Sequence, residues 1–127
     1  IESGSQRILN QIHKNIRVED VYKVDRLMME YNMDWSAYFI IGFPEEKIED
    51  IMLTQEMIKK ISARSITVSV FTPYPGTELS EKLPQEAKYY SHHSPYNNFT
   101  KNIPDKLFSK LVYETIKIAK RPYKEHK

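Results

Sequence analysis

Apolar residues along this chain recur at two different periods, and the changes of period divide it into helices and strands. Ile8, Leu9 and Ile12 share one side of a helix that Ser5 can cap, near residues 5–13. Val21, Val24, Leu27, Met28 and Tyr31 recur at three- and four-residue steps, so a second amphipathic helix is predicted near 18–32. Glu19 and Asp20 fall in its first turn, where the helix dipole favours acid. Ala37 to Ile41 is a short apolar run without helical spacing, closed by Gly42 and Pro44, and predicts a strand near 36–41 covered on both faces. Helical spacing returns near 46–61 with Ile48, Ile51, Met52, Ile58 and Ile61 turned inward. The β-branched run Ser65–Phe71 predicts a second strand near 65–71.

Beyond Phe71 the pattern breaks. Pro73, Pro75 and Gly76 enforce a turn, and Thr77 to Leu83 reads as a short helix stopped by Pro84. Residues 84–103 show no period and read as an irregular crossing segment. Pro104 opens a last helix near 104–120 with Leu107, Phe108, Leu111, Val112, Thr115 and Ala119 on its inner face, followed by a basic tail to Lys127. Helices alternating with strands predict an α/β fold with a parallel sheet, the intervening helix serving as crossover. Two strands and a stub at Ile1 leave sheet edges uncovered. The expectation is therefore an incomplete sheet that begins inside a motif, whose neighbouring strands are missing or come from another copy, and which self-associates through its open edges.

Composition narrows the function classes. Apolar residues make up 40% and charged residues 28%, as in ordinary globular domains. A formal charge of +2 gives no ground for a nucleic-acid or membrane partner. No apolar run approaches the ~20 residues that span a bilayer, and a cytoplasmic setting fits. There is no cysteine, which excludes disulfides and any iron–sulfur cluster held by this chain's own sulfurs. His13, His92, His93 and His126 lack the spacing of a metal set, so no metal ligand is assigned. Tyr89, Tyr90, Tyr96 and Phe99 read as packing, and the basic residues from Lys117 to Lys127 as a solvated, frayed helix end.

Candidate chemistry gathers where strands hand over to helices, because parallel sheets bind ligands beyond their carboxyl ends. Glu2, Ser3 and Ser5 offer a carboxylate and hydroxyls that suit a ribose or an amino group; equally, they suit a helix cap. At Gly42 a flat ring can approach the backbone with Ile40 or Ile41 beside it, or the glycine marks only a turn. Phe71 and Thr72 open a proline-stiffened loop, to Thr77, that offers backbone groups and the hydroxyls of Thr72 and Thr77.

At these residues the chain resembles the radical S-adenosylmethionine family, especially its cobalamin-associated and methylthiotransferase-like branches. Their segments read G-I-E-S-G-S-x-x-x-L, I-I-G-F-P-G-E-T and F-x-P-Y-P-G-T-x-L. Here these are Ile1 to Leu9, Ile40 to Lys47 with Glu45 and Lys47 replacing glycine and threonine, and Phe71 to Leu79. The resemblance implies that residues 1–83 form the carboxyl-terminal part of a TIM-type barrel, with 84–103 crossing it and 104–127 forming the last helix and tail. It implies that Glu2, Ser3 and Ser5 lie by the ribose or methionine portion of S-adenosylmethionine. Ile40 and Gly42 would lie against adenine, and Phe71 and Thr72 at its edge. It further implies a 4Fe–4S cluster whose C-x3-C-x2-C loop this chain lacks, leaves cobalamin open, and assigns no catalytic residue here. The parent enzyme would cleave its cofactor reductively and start radical chemistry on an unknown substrate, together with an amino-terminal half. The chain alone is expected to be inactive. Two alternatives are a small cofactor-free α/β interaction or regulatory module, and a different barrel enzyme using the same strand ends for a phosphate or nucleotide.

Overall fold

The structure is a computed structural model that describes residues 1–73 and 97–123. They form α1 (Gln6–Gln11), α2 (Val18–Glu30), β1 (Ser36–Ile41), α3 (Ile48–Lys60), β2 (Ser65–Val70) and α4 (Asp105–Ala119). Each matches an element expected from the periodicity, shortened by no more than two residues at either end. The short helix expected at Thr77 to Leu83, and the crossing segment up to residue 96, lie outside the described residues.

β1 and β2 pair in parallel from Ser36↔Ser65 to Ile41↔Val70. Two parallel strands cannot be joined by a tight turn, and α3 supplies the crossover. On the other edge of β1, the Ile40 N–H donates to the Glu2 carbonyl at 2.8 Å, so the Ile1 stub runs beside the sheet as a short extension. Ala37, Phe39 and Ile41 of β1 and Val68 and Val70 of β2 point into one core with Ile51, Met57, Ile58, Phe108, Leu111 and Val112 of α3 and α4. The opposite face differs from the expectation of a strand covered twice. Alternate residues Ser36, Tyr38 and Ile40 stand beside Ser65, Thr67 and Ser69, and Tyr38 is 61% exposed among the described residues. Residue size and apolarity made Tyr38 look internal, but no helix among the described residues covers it.

Two helix faces also depart from expectation. In α2 only Val21 and Asp25 are buried, while Val24, Leu27 and Tyr31 are exposed. In α3 Met52 is exposed, and Met57 takes the core position instead. Asp25 is buried because it serves two donors, Trp35 Nε1 at 3.1 Å and the Ser62 N–H at 2.9 Å. The basic end after α4 is not merely solvated. Arg121 donates to the Ile58 carbonyl at 3.1 Å and also to that of Ile61, satisfying carbonyls that the end of α3 leaves open. Among the described residues, no helix is long and apolar enough to cross a membrane.

Candidate functional site

All three strand-end stretches meet at one end of the molecule. Glu2 bonds to Ile40, the Phe71 N–H donates to the Ile41 carbonyl at 2.8 Å, and the Phe71 nitrogen lies 3.7 Å from where a Cβ on Gly42 would sit. A second apolar cluster of Ile8, Phe43, Phe71 and Phe99, with Ile12 and Ile40 against it, fills the ground between them. Phe71 meets Phe43 with ring centroids 5.3 Å apart and Phe99 edge-on at 6.1 Å, both ordinary aromatic geometries. Phe99 therefore packs over the strand ends, as the crossing segment was expected to do. Lys101 ties that segment down through its N–H on the Pro44 carbonyl at 2.9 Å and an ion pair with Glu45.

Ser3, Gly4 and Ser5 fold against the first two turns of α3. The Gly4 N–H donates to Thr54 Oγ1 at 2.9 Å, Ser3 Oγ lies 3.3 Å from the same hydroxyl, and Ser5 Oγ donates to Asp50 Oδ1 at 2.6 Å. A Cβ on Gly4 would come within 2.5 Å of the Leu53 carbonyl oxygen, so only glycine permits this approach. Ser5 also caps α1, accepting from the Ile8 N–H at 3.4 Å. Both serines are buried, and their hydroxyls are engaged within the protein.

Asp50 gathers this corner. Besides Ser5 it accepts from the Lys47 N–H at 2.8 Å, at the start of α3, and from the Arg7 guanidinium. Burial pushes its carboxyl up, but the bonds from Arg7, Ser5 and Lys47 outweigh that and hold it below the usual value.

Glu2 is different. Its carboxylate is partly exposed and lies 3.4 Å from Lys14 Nζ. That lysine is brought back over the strand end because His13 adopts a left-handed turn, φ 58°, while the Lys14 N–H caps the Leu9 carbonyl at 2.9 Å. Ile40 is half-buried on the open sheet face next to Ser69, and Thr72 is half-buried with its hydroxyl on the Val70 carbonyl at 3.3 Å. Thus Glu2, Ile40, Phe71 and Thr72 stand around one rim, with Ser3 and Ser5 beneath it as supports.

Gly42 adopts φ 98°, a conformation that disfavours any side chain, and a Cβ there would sit 2.8 Å from Phe108 Cζ. The flat ring brought up to this glycine is thus the protein's own. The Gly42 N–H donates to Glu46 Oε1 at 2.5 Å, and the Glu46 N–H closes the turn on the Phe43 carbonyl at 2.9 Å. Glu46 is fully buried, and its Oε2 has no hydrogen-bond partner among the described residues. Neither Glu46 nor the pair Arg7 and Asp50 was singled out from the sequence. The available signal was Asp50 at the third position of α3, where an acid bonds back to the cap N–H. Among the described residues, no group of His, Asp and Glu could hold a metal ion.

Fold and rim together define a parallel α/β segment whose candidate site residues gather past the carboxyl ends of its strands. No family profile matches the chain. It is 34% identical over 79 residues to a tRNA-2-methylthio-N(6)-dimethylallyladenosine synthase of Pelagibacter ubique, covering 61% of this chain and 18% of the relative. The same kind of synthase from Chromohalobacter salexigens is 34% identical over 93 residues, 69% of this chain and 21% of the relative. An uncharacterized methyltransferase of Pyrococcus horikoshii is 36% identical over 81 residues, 64% of this chain and 18% of the relative. The chain thus spans about a fifth of the length of these curated relatives. These relatives bear out the resemblance to the radical S-adenosylmethionine family read from the motifs, on its methylthiotransferase-like side.

Proposed function

We propose that this chain forms part of the S-adenosylmethionine-binding wall in the barrel of a radical S-adenosylmethionine iron–sulfur enzyme. The observation that carries the reading is the meeting of Glu2, Ile40 and Phe71–Thr72 on one rim past parallel strand ends. The relatives support the cofactor rather than one substrate, because two are named for a methylthio-tRNA product and a third simply as a methyltransferase. Shared sequence between differently named enzymes points to what they have in common. They lend no support to cobalamin, which forms no part of the reading.

The residues present fit the adenosyl and amino-acid parts of the cofactor. Ile40 offers an apolar half-exposed surface for a flat base, and the Glu2 carboxylate, steadied by Lys14, accepts from hydroxyl or amino groups. Backbone groups at Phe71 and Thr72 lie at the edge of the same surface. Ser3 and Ser5 act one layer down, locking Glu2's segment to α3. The cluster does not fit this chain, which has no thiolate to offer, and no step is routed through it. When bound, S-adenosylmethionine supplies the radical chemistry, while this chain's groups bind and orient it. Its substrate in the relatives' manner would be an adenosine of tRNA, which the modest net charge of this segment does not exclude.

Equilibrium binding of S-adenosylmethionine to the full-length protein tests this. Ile40→Ala and Glu2→Ala are each expected to weaken binding roughly tenfold, the equivalent of about 1.4 kcal/mol, with thermal unfolding little changed. Absence of binding by the unaltered protein, or binding untouched by either substitution, refutes the proposal. The 127-residue chain by itself is expected to release no cleavage product under reducing conditions.

A further inference from the structure

A buried acid beside the proposed rim is left over by everything above. Glu46 is fully enclosed, receives the Gly42 N–H at 2.5 Å on one oxygen, and has no partner for the other among the described residues. A carboxylate in such a place would be poorly solvated: backbone bonds from Gly42 and Phe43 replace the several donors that water provides. The neutral acid suits the site far better, with its carbonyl oxygen facing Gly42 and its hydroxyl on the unpartnered side. Gly42 in turn cannot relax into its other neighbours, because Phe108 fills the space beneath it.

Resting on the functional reading above, we infer that Glu46 is a positioning residue that works in its protonated form, clasping the Gly42 peptide and so setting the strand-end turn beside the adenosyl surface. Loss of the proton to solvent places a charge inside the turn that the backbone bonds alone leave under-solvated, so water is drawn in and the turn opens. The charged groups about Glu46 act in both directions. Asp50 of α3 opposes its ionisation and Arg7 of α1 favours it, while Glu45 and Lys101 are engaged with one another. Phe108, from α4, is apolar. Burial dominates, aided by Asp50 and only partly offset by the Gly42 bond, and raises the carboxyl to about 8. The turn would then loosen progressively as pH rises from 4.5 towards 8.

The decisive measurement is a carboxyl-resolved carbon NMR titration of the full-length protein, with amide-exchange protection of Gly42 followed in parallel. Glu46 is expected to titrate near 8, with Gly42 protection falling by up to about tenfold per pH unit as pH rises from 4.5 towards that value and levelling off above it. Glu46→Gln, which mimics the neutral acid, is expected to keep Gly42 protected without that pH dependence. Titration of Glu46 in the ordinary carboxylate range overturns the inference, as does a Gly42 protection that ignores pH in the unaltered protein. That first measurement needs no variant, so it decides even if Glu46→Gln folds poorly. S-adenosylmethionine affinity supplies the remaining arm: it should weaken with pH in parallel with Gly42 protection and be flat in Glu46→Gln. Affinity that is flat in both proteins removes the positioning role. No binding at any pH, with Glu46 still titrating near 8, would refute the cofactor reading and leave the clasp itself standing.

Discussion

Replacing Asp50 by alanine is expected to cost about 3 kcal/mol of folding free energy, at the lower end for a broken buried ion pair. The substitution strands three donors at once: Ser5 Oγ, the Arg7 guanidinium and the Lys47 N–H that opens α3. Arg7 is the most exposed of the three and water can reach it, which moderates the loss. Ser5 is enclosed and has no such recourse, and the Lys47 N–H is only partly open to water. Denaturant unfolding at neutral pH measures the effect, and a loss under about 1 kcal/mol would show that solvent substitutes for the carboxylate. The contribution has a pH signature. Because the folded-state value lies below 3.8, the stabilisation is complete above 3.8 and disappears as pH falls through the lower folded value. Asp50→Asn should erase that acid limb.

Gly42→Ala is expected to be comparably damaging, again about 3 kcal/mol, from two additive sources. A left-handed backbone at φ 98° penalises any Cβ, and the methyl would press on Phe108 at 2.8 Å. These sources can be separated. Shrinking the opposing ring with Phe108→Leu should relieve the steric part in the double variant while leaving the backbone part in place, so the two substitutions will not add. Strict additivity would mean that the ring already moves aside freely.

Glu46 acts with the opposite sign to Asp50. Its folded value of about 8 exceeds the ordinary 4.5, so the folded state loses stability as pH climbs from 4.5 to about 8. Together the two acids put this corner's greatest stability between 3.8 and 4.5, well on the acid side of neutrality.

Helices and strands were legible in the sequence because their periods are local and strong. The run Ser65 to Val70 alternates β-branched residues with serine and threonine, and Leu107 to Ala119 keeps one apolar stripe throughout. The parallel pairing followed from the length of the crossover. Cover was not legible. Val24, Leu27 and Tyr31 form as good a stripe as α4's, yet nothing among the described residues packs on them, and periodicity reports a face without saying what it meets. At the candidate site, the three strand-end stretches could be read from turn residues and motif order. Which acids lie inside could not. Glu45 and Glu46 are adjacent and identical in type, and only the turn's geometry sends one to Lys101 and the other beneath Gly42. Ser5 and Asp50 are likewise 45 positions apart, so no local pattern joins them.

The in-register pairing of Ser36 with Ser65 also bears on the order of folding. Their hydroxyls meet at 2.7 Å across 29 positions, a chain closure with an entropic cost that no contact offsets until α3 has condensed onto β1. The crossover helix is accordingly the natural nucleus, and lesions in its interior should slow refolding. Cutting back the Arg121 clasp at its far end should instead hasten unfolding.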